Sequence, residues 1–581
     1  SFPTRRSSDL GTDCFDTTIG YDLLDNVVSV TDAKALVATA TFDTAGRKTQ
    51  MTDPDLGTWR YGYDDAGNLT SQTDARGQTL TMAYDLLGRR TTTTVAGTGA
   101  VVSTLAYDQA GHGDGVGRMT SMTDLSGSTS WSWDSMGQET SKTQVIGGTA
   151  FTIGRSYDAA GRPATVTYPD GEVVTYAYAA SGKLSGMSSP LGSYVSGASF
   201  DARGGLTTRT LGNGVVETFT RDANRFWVTA ATAKLGTTTL HDLTIGRNLR
   251  GETTSRGSTA SPQDVWTYAY DDLGRLTTAT NTPVPAWSET FAYDAVGRLT
   301  SQTSTGAHTY STTTGPKHAP SVAGSLGALS YDANGNLIAG NGHSVTIDAQ
   351  NRAVTVDGAT MVYDGEGQRV RAGSKTFVED LYEVDGATAT KYYYFGKQQI
   401  ARRDAALYFY HGDQVGSALT ITSSTGGVVA RRVYSPYGRQ LSSTGSLFDP
   451  FGFAGQRLDP SGLYQMGARA MAPTIAMFTS PDVSAAPDPS DPQSLNRFAY
   501  ARNSPTNLVD PTGFEEEMPA IYLDGSEDSY DLLVEQIDQG LVPLIFVPGI
   551  LNPEGSDNLA NNLESVREIL ASNGYGNRPF F

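Results

Sequence analysis

A chain of 581 residues with a net charge of −19 has no basic surplus with which to displace phosphate counterions, which argues against a general nucleic-acid-binding function. Cys14 is the single cysteine, so neither an intrachain disulfide nor a thiolate metal cluster can form. Only 18% of residues are charged, while Gly contributes 65 and Tyr 29, a profile of short strands and tight turns with enough aromatic surface to order them.

Taken in chain order, residues 1–10 (SFPTRRSSDL) read as a non-native, adapter-like leader and are set aside. From 11 to 400 a repeat dominates: an aromatic residue, Asp, two variable residues, Gly, then Arg or Asn, often followed by Leu-Thr. It begins at Phe42, Tyr63, Tyr84, Trp133, Tyr157, Phe200, Tyr270, Tyr293, Tyr331 and Tyr363, with an insertion in the copy at Tyr107. Between Phe42 and Phe200 the starts recur about every 21–26 residues if Tyr178 is counted as a worn copy.

The repeat has the chemistry of a hairpin turn. Its Asp can accept a hydrogen bond from the backbone two residues on, and its Gly takes φ > 0, which closes a type I turn. Alternation in GVVETFT (214–220) predicts half-buried strands, so each period supplies about two strands and two turns. Hairpins in series leave edges that must be closed or coiled. Propeller and calcium β-helix signatures are missing, which leaves a long sheet wound into a barrel or shell.

The Y-D-x-x-G-R-L-T unit at this spacing resembles the YD repeats of Rhs proteins, teneurins and the cocoon components of insecticidal toxin complexes. The resemblance implies an all-β fold in which β-hairpins spiral into a hollow shell. Residues 401–514 resemble the Rhs-associated core, through His411, Asp413, Val415, Gly416 and Ser417, then Tyr434, Pro436, Tyr437 and Gly438, then 451–482 and 495–514.

His411 beside Asp413 offers an acid/base pair, but no Ser or Cys nucleophile is spaced to complete a triad, so a structural turn is expected. His112, His241, His308, His318 and His343 show no ligand spacing, and no metal or other cofactor is expected. The Gly-rich stretches lack a Lys-Ser/Thr ending and read as turns.

The family core ends in P-x-x-x-x-D-P-x-G-L and many members cut themselves after the Leu; here Pro505, Asp510, Pro511 and Gly513 match, with Phe514 in the last place. The upstream aspartate of the family falls on Asp482. The resemblance thus implies aspartyl self-cleavage between Phe514 and Glu515. Asp482 and Asp510 would share the acid and base roles, and Phe514 would fill the apolar pocket that Leu usually takes. By local chemistry alone, Asp510 before Pro511 is a turn residue. One departure stands against cleavage: the family's Gly-Arg-Phe is Ala476-Met477-Phe478 here, which removes a cation that could orient a carboxylate.

Residues 515–581 change character. Glu515-Glu516-Glu517 reads as a linker, 526–540 as a helix stopped by Gly540, 544–547 as a strand, and Ser556 as the cap of a second helix. This start resembles the first strand and oxyanion-side loop of an α/β-hydrolase, such as a lipase-like effector; the first βα unit of any α/β domain remains equally open. The apolar run 541–551 is too short for the roughly 20 residues of a membrane span. Both ends read as truncated.

The leading expectation is a secreted or cell-surface bacterial shell that encloses and delivers its own C-terminal effector. Its partners would be an immunity protein and a secretion apparatus or spike adaptor. A YD-repeat scaffold for adhesion is the alternative from another class, and a cocoon subunit of a multi-subunit toxin complex is the third reading.

Overall fold

The computed structural model describes residues 16–483, apart from 446 and 448, and residues 492–514. Within them the chain is antiparallel β: sheets of 28, 14 and 4 strands span 18–323, 330–445 and 457–478, and the helical pieces are 3-10 turns of three or four residues. Strands pair with their sequence neighbours, as Val37–Phe42 does with Lys48–Asp53 and that strand with Gly57–Tyr63. The expected linker at Glu515, the helices over 526–540 and after Ser556, and the strand 544–547 lie outside the described residues.

The hairpin formed by Glu289–Tyr293 and Leu299–Gln302 shows why the repeat folds as it does. Asp294 Oδ1 accepts from the N–H of Val296 and of Arg298, both at 3.1 Å, while the Gly297 N–H donates to the Asp294 carbonyl at 3.1 Å. Gly297 has φ 75, which a side chain with a Cβ adopts only with strain. The register slips by one residue between Ala292 and Tyr293, a bulge that tightens the twist beside the turn. Thr300 Oγ1 donates to the Ala292 carbonyl at 3.0 Å across that bulge, which accounts for the Thr of Leu-Thr.

The same motif joins one repeat to the next. The Tyr293 hydroxyl donates to the Leu276 carbonyl of the preceding hairpin at 2.9 Å. Arg275 of that hairpin binds its own Asp271 through Nε at 2.6 Å and donates through Nη1 to the Asp294 carbonyl at 2.8 Å. Its guanidinium carbon lies 5.0 Å from the centre of the Tyr293 ring. Equivalent hydroxyl-to-carbonyl bonds run from Tyr63 to Lys48, Tyr84 to Leu69, Tyr107 to Arg90, Tyr157 to Glu139 and Tyr363 to Ala353. A further copy without the Gly begins at Tyr21, where Asp25 stands in the Gly position with φ 62.

The sheets meet along a polar seam. The Tyr168 hydroxyl donates to the Tyr392 carbonyl at 2.8 Å, Asn213 Nδ2 to Thr422 Oγ1 at 3.0 Å, and Arg256 pairs with Asp413 at 2.8 Å. Apolar clusters fill in behind: Trp266, Tyr268 and Leu276 pack with Tyr434, Phe453, Phe478 and Tyr500, and Ile153 and Tyr194 pack with Tyr393, Ile400 and Phe409. Within GVVETFT the alternation holds, and Val215, Glu217 and Phe219 face inward. The buried face therefore carries a carboxylate, which Arg209 holds at 2.7 Å.

At one end of the seam His318 is buried between two carboxylates, with Nδ1 2.7 Å from Asp55 Oδ2 and Nε2 3.3 Å from Asp32 Oδ2. Burial alone would lower its pKa, but Asp55 and Asp32 outweigh burial and push it up to about 10. Burial opposes ionisation of the two carboxyls, but His318 together with backbone N–H donors, and Arg497 in the case of Asp55, holds them below their ordinary range.

Two outcomes follow from this architecture. Gly297→Val and Gly274→Val, the latter at φ 76, should each destabilise the protein by about 1–2 kcal/mol in denaturant titrations with the far-ultraviolet β signature retained. The His318 contribution is fully present below its ordinary value of 6.5 and is lost as pH rises through about 10. The carboxylate contribution is lost instead as pH falls below their ordinary 3.8. The thermal midpoint should therefore fall between pH 6.5 and about 10, and His318→Gln should flatten that slope. Equal slopes in the two proteins would show that the histidine is not the group responsible.

Candidate functional site

The four-stranded sheet of Arg457–Leu458, Tyr464–Met466, Arg469–Ala472 and Met477–Phe478 supports the two aspartates expected to carry chemistry. Asp510 is buried and opens a turn in which its Oδ1 accepts from the Gly513 N–H at 2.7 Å. The local turn reading is therefore satisfied, whatever else the residue does. Gly513 has φ 76, and a Cβ there would lie 2.9 Å from the Arg469 nitrogen. The Ala468 N–H donates to the Thr512 carbonyl at 2.9 Å, which clamps this turn onto the hairpin.

Asp482 follows the last strand of that sheet, and its N–H donates to the Arg497 carbonyl at 3.0 Å. The two aspartates meet at Arg469, whose Nη2 lies 3.1 Å from Asp510 Oδ2 and 3.4 Å from Asp482 Oδ2. The same guanidinium donates through Nη1 to the Arg497 carbonyl at 2.9 Å and through Nε to the Gly513 carbonyl. Its carbon sits 3.6 Å from the centre of the Phe478 ring. Asp482 keeps 16% of its side chain in contact with solvent, Asp510 only 2%.

Two expectations change on this geometry. Ala476-Met477 does remove the cation from the strand before Asp482, but Arg469 on the neighbouring strand supplies one to both carboxylates. Phe514 does not fill an apolar pocket: it is 37% exposed, with its N–H on Thr512 Oγ1 at 3.2 Å as the chain leaves the turn. Glu515 lies outside the described residues. Arg469 had no spacing signal, since its partners stand 13 residues away at Asp482, 28 at Arg497 and 41 at Asp510, with no common period.

His411 does not pair with Asp413. Its Nδ1 lies 2.8 Å from Glu217 Oε1 and its Nε2 3.0 Å from Thr422 Oγ1, all buried. Burial opposes ionisation of Glu217, but Arg209 and His411 pull its pKa down to about 2. Asp413 instead accepts from Arg256, which also binds Asp264 at 2.6 Å. Both aspartate and histidine are partners in the seam.

Comparison with known proteins agrees with the architecture. The Teneurin YD-shell family profile matches residues 374–506, and the RHS Repeat profile matches residues 63–101 and 157–194. A tRNA nuclease WapA of Bacillus subtilis (strain 168) is 35% identical over 144 residues, which cover 23% of this chain and 6% of that protein. A tRNA3(Ser)-specific nuclease WapA of Bacillus spizizenii is 34% identical over the same length and shares. Among solved structures, TcdB2-TccC3 superimposes with a TM-score of 0.76 at 18% identity, covering 88% of this chain and 31% of that one. The Tc holotoxin pore of Photorhabdus luminescens gives a TM-score of 0.75 at 18% identity, covering 90% and 30%. The chain thus spans about a third of those structures and a small part of the curated relatives. Repeat chemistry, sheet topology and profile matches agree: the chain carries RHS repeats and a segment similar to the Teneurin YD-shell, on a fold similar to that of TcdB2-TccC3.

Proposed function

We propose that the chain is the shell and cleavage core of a toxin-carrying Rhs protein, which encloses its own C-terminal segment as an effector and cuts itself after Phe514. The observation that carries the reading is the Arg469 cluster. One guanidinium holds Asp482 and Asp510 together and also binds the Gly513 carbonyl, one residue before the bond to be cut. In this reading Asp482, the more exposed carboxylate, takes a proton from water as that water attacks the Phe514 carbonyl carbon. Asp510 in its protonated form gives a proton to the Glu515 nitrogen as the C–N bond breaks. Arg469 orients both carboxylates and keeps the turn in register through Gly513.

The cut segment would stay enclosed without a covalent link, as the cargo of a secreted or cell-surface protein. An immunity protein and a secretion-apparatus or spike adaptor would complete the system. The match to nuclease toxins and to a toxin-complex structure supports a toxin-carrying role. The match to the Teneurin YD-shell profile favours the second reading, an adhesion scaffold without release.

Self-cleavage separates the two readings. Freshly purified protein should run as two pieces on a denaturing gel, with intact masses that place the cut between Phe514 and Glu515. Asp482→Asn, Asp510→Asn and Arg469→Gln should each slow cutting by about 100-fold or more, in the range set by loss of a general acid or base. A wild-type chain that stays whole would favour the scaffold. Undiminished cutting in both aspartate variants would mean that other groups do the chemistry.

A further inference from the structure

Arg497 connects the candidate cleavage site to the far end of the chain. Its carbonyl receives Arg469 Nη1 at 2.9 Å and the Asp482 N–H at 3.0 Å, and its own Nη1 donates to the Asp482 carbonyl at 2.8 Å. Arg497 thus fixes the Asp482 backbone directly and reaches Asp510 through the Arg469 guanidinium that it helps to place. That residue is held from the early repeats: Arg497 Nε donates to Asp53 Oδ2 at 2.9 Å, across 444 residues of sequence, and both side chains are buried. Asp53 in turn caps its own turn, with Oδ1 accepting from the N–H of Asp55 at 2.9 Å and of Leu56 at 3.2 Å.

The turn that carries Asp53 is clamped from two other sides. Asp55 Oδ1 accepts from the N–H of Lys317 and of His318, both at 2.8 Å. A Cβ at Gly335 would lie 2.5 Å from the Asp55 carbonyl and 3.0 Å from Cγ of Pro481, the residue before Asp482. Early repeats, the seam and the segment bearing Asp482 therefore pack without slack at one point.

We propose that Asp53 is a positioning residue for self-cleavage: through Arg497 it makes assembly of the Asp482–Arg469–Asp510 cluster depend on closure of the early repeats onto the core. This rests on the cleavage reading above. Its consequence is an order of events, because a chain whose first hairpins have not yet closed lacks the Arg497 anchor and is not cut.

The test compares Asp53→Asn with Asp74→Asn in the full chain. Asp74 is an equally buried seam carboxylate: its Oδ1 caps a turn and its Oδ2 binds Arg76 at 2.6 Å and Asn334 Nδ2 at 2.7 Å, in place of an arginine of the cleavage core. Asn in either place retains the turn-capping oxygen and removes the charge. Cutting is followed by gel after synthesis, and thermal unfolding is measured on the same preparations. Asp53→Asn should slow cutting at least tenfold beyond Asp74→Asn at matched loss of stability, and Asp53→Glu should recover most of the rate. Slowing in both variants in proportion to lost stability, or none in Asp53→Asn, would overturn the proposal while leaving self-cleavage intact. A wild-type chain that is never cut would instead remove the cleavage reading on which the proposal rests.

Discussion

The repeated contact of one arginine with two successive turns is the interaction on which the rest of the fold depends. A β-meander needs each hairpin to close locally and each hairpin to find the next in register. Arg275 does both, since its Nε completes the Asp271 turn while its Nη1 reaches the Asp294 carbonyl of the following one. The Tyr293 hydroxyl returns the connection to Leu276. Where Arg holds this position, as at Arg47 and Arg275, neighbouring turns are thus joined by charge-assisted and neutral hydrogen bonds, which sets register along those stretches of the 28-stranded sheet. Where Asn takes the place of Arg, as at Asn68, the side chain still binds its own Asp64 at 2.9 Å but is too short to span the gap.

A sheet held in this way still has a face to bury. The inward positions are mixed: Trp266, Ile153 and Phe409 supply apolar area, and Glu217, Arg209, His411, Arg256 and Asp413 supply charge. Buried charges are costly unless paired, so these groups specify which hairpin lies against which. The seam is consequently more selective than an apolar face would be, because a slip of one strand would leave several ionised groups without partners. The candidate cleavage cluster uses the same device. Arg469 is a buried cation with two carboxylates and two carbonyls around it, and its ring partner Phe478 closes the remaining side.

The turn around Asp510 was readable as a turn and as a family cleavage motif at once, and the geometry accommodates both. Asp510 Oδ1 serves the turn while its Oδ2 faces Arg469, so one carboxylate can be structural on one side and chemical on the other. The cation missing before Phe478 is supplied from another strand, by Arg469. A guanidinium reaches about 6–7 Å from its Cα, so a strand neighbour can place the charge where the adjacent position does not. His411 shows the converse, since its neighbour Asp413 is near in sequence yet turned toward Arg256, and its true partner Glu217 is 194 residues away.

The amino-acid sequence by itself determined the hairpins: the Asp that caps, the Gly that takes φ > 0, the Thr at the bulge and the aromatic that marks each start. All of those turn and bulge contacts close within eight residues, so the order of residue types specifies them. Asp482 and Asp510 became candidates through the family resemblance, whereas local chemistry gave Asp510 only as a turn residue. Only the tertiary structure decided that Arg469 brings the two together, that Asp53 holds Arg497, and that His318 lies between Asp32 and Asp55. Those contacts join groups separated by 13 to 444 residues, and side-chain type carries no record of distance along the chain. Their partners become defined when the sheets close, because only then does burial make an unpaired charge costly enough to select one neighbour from many.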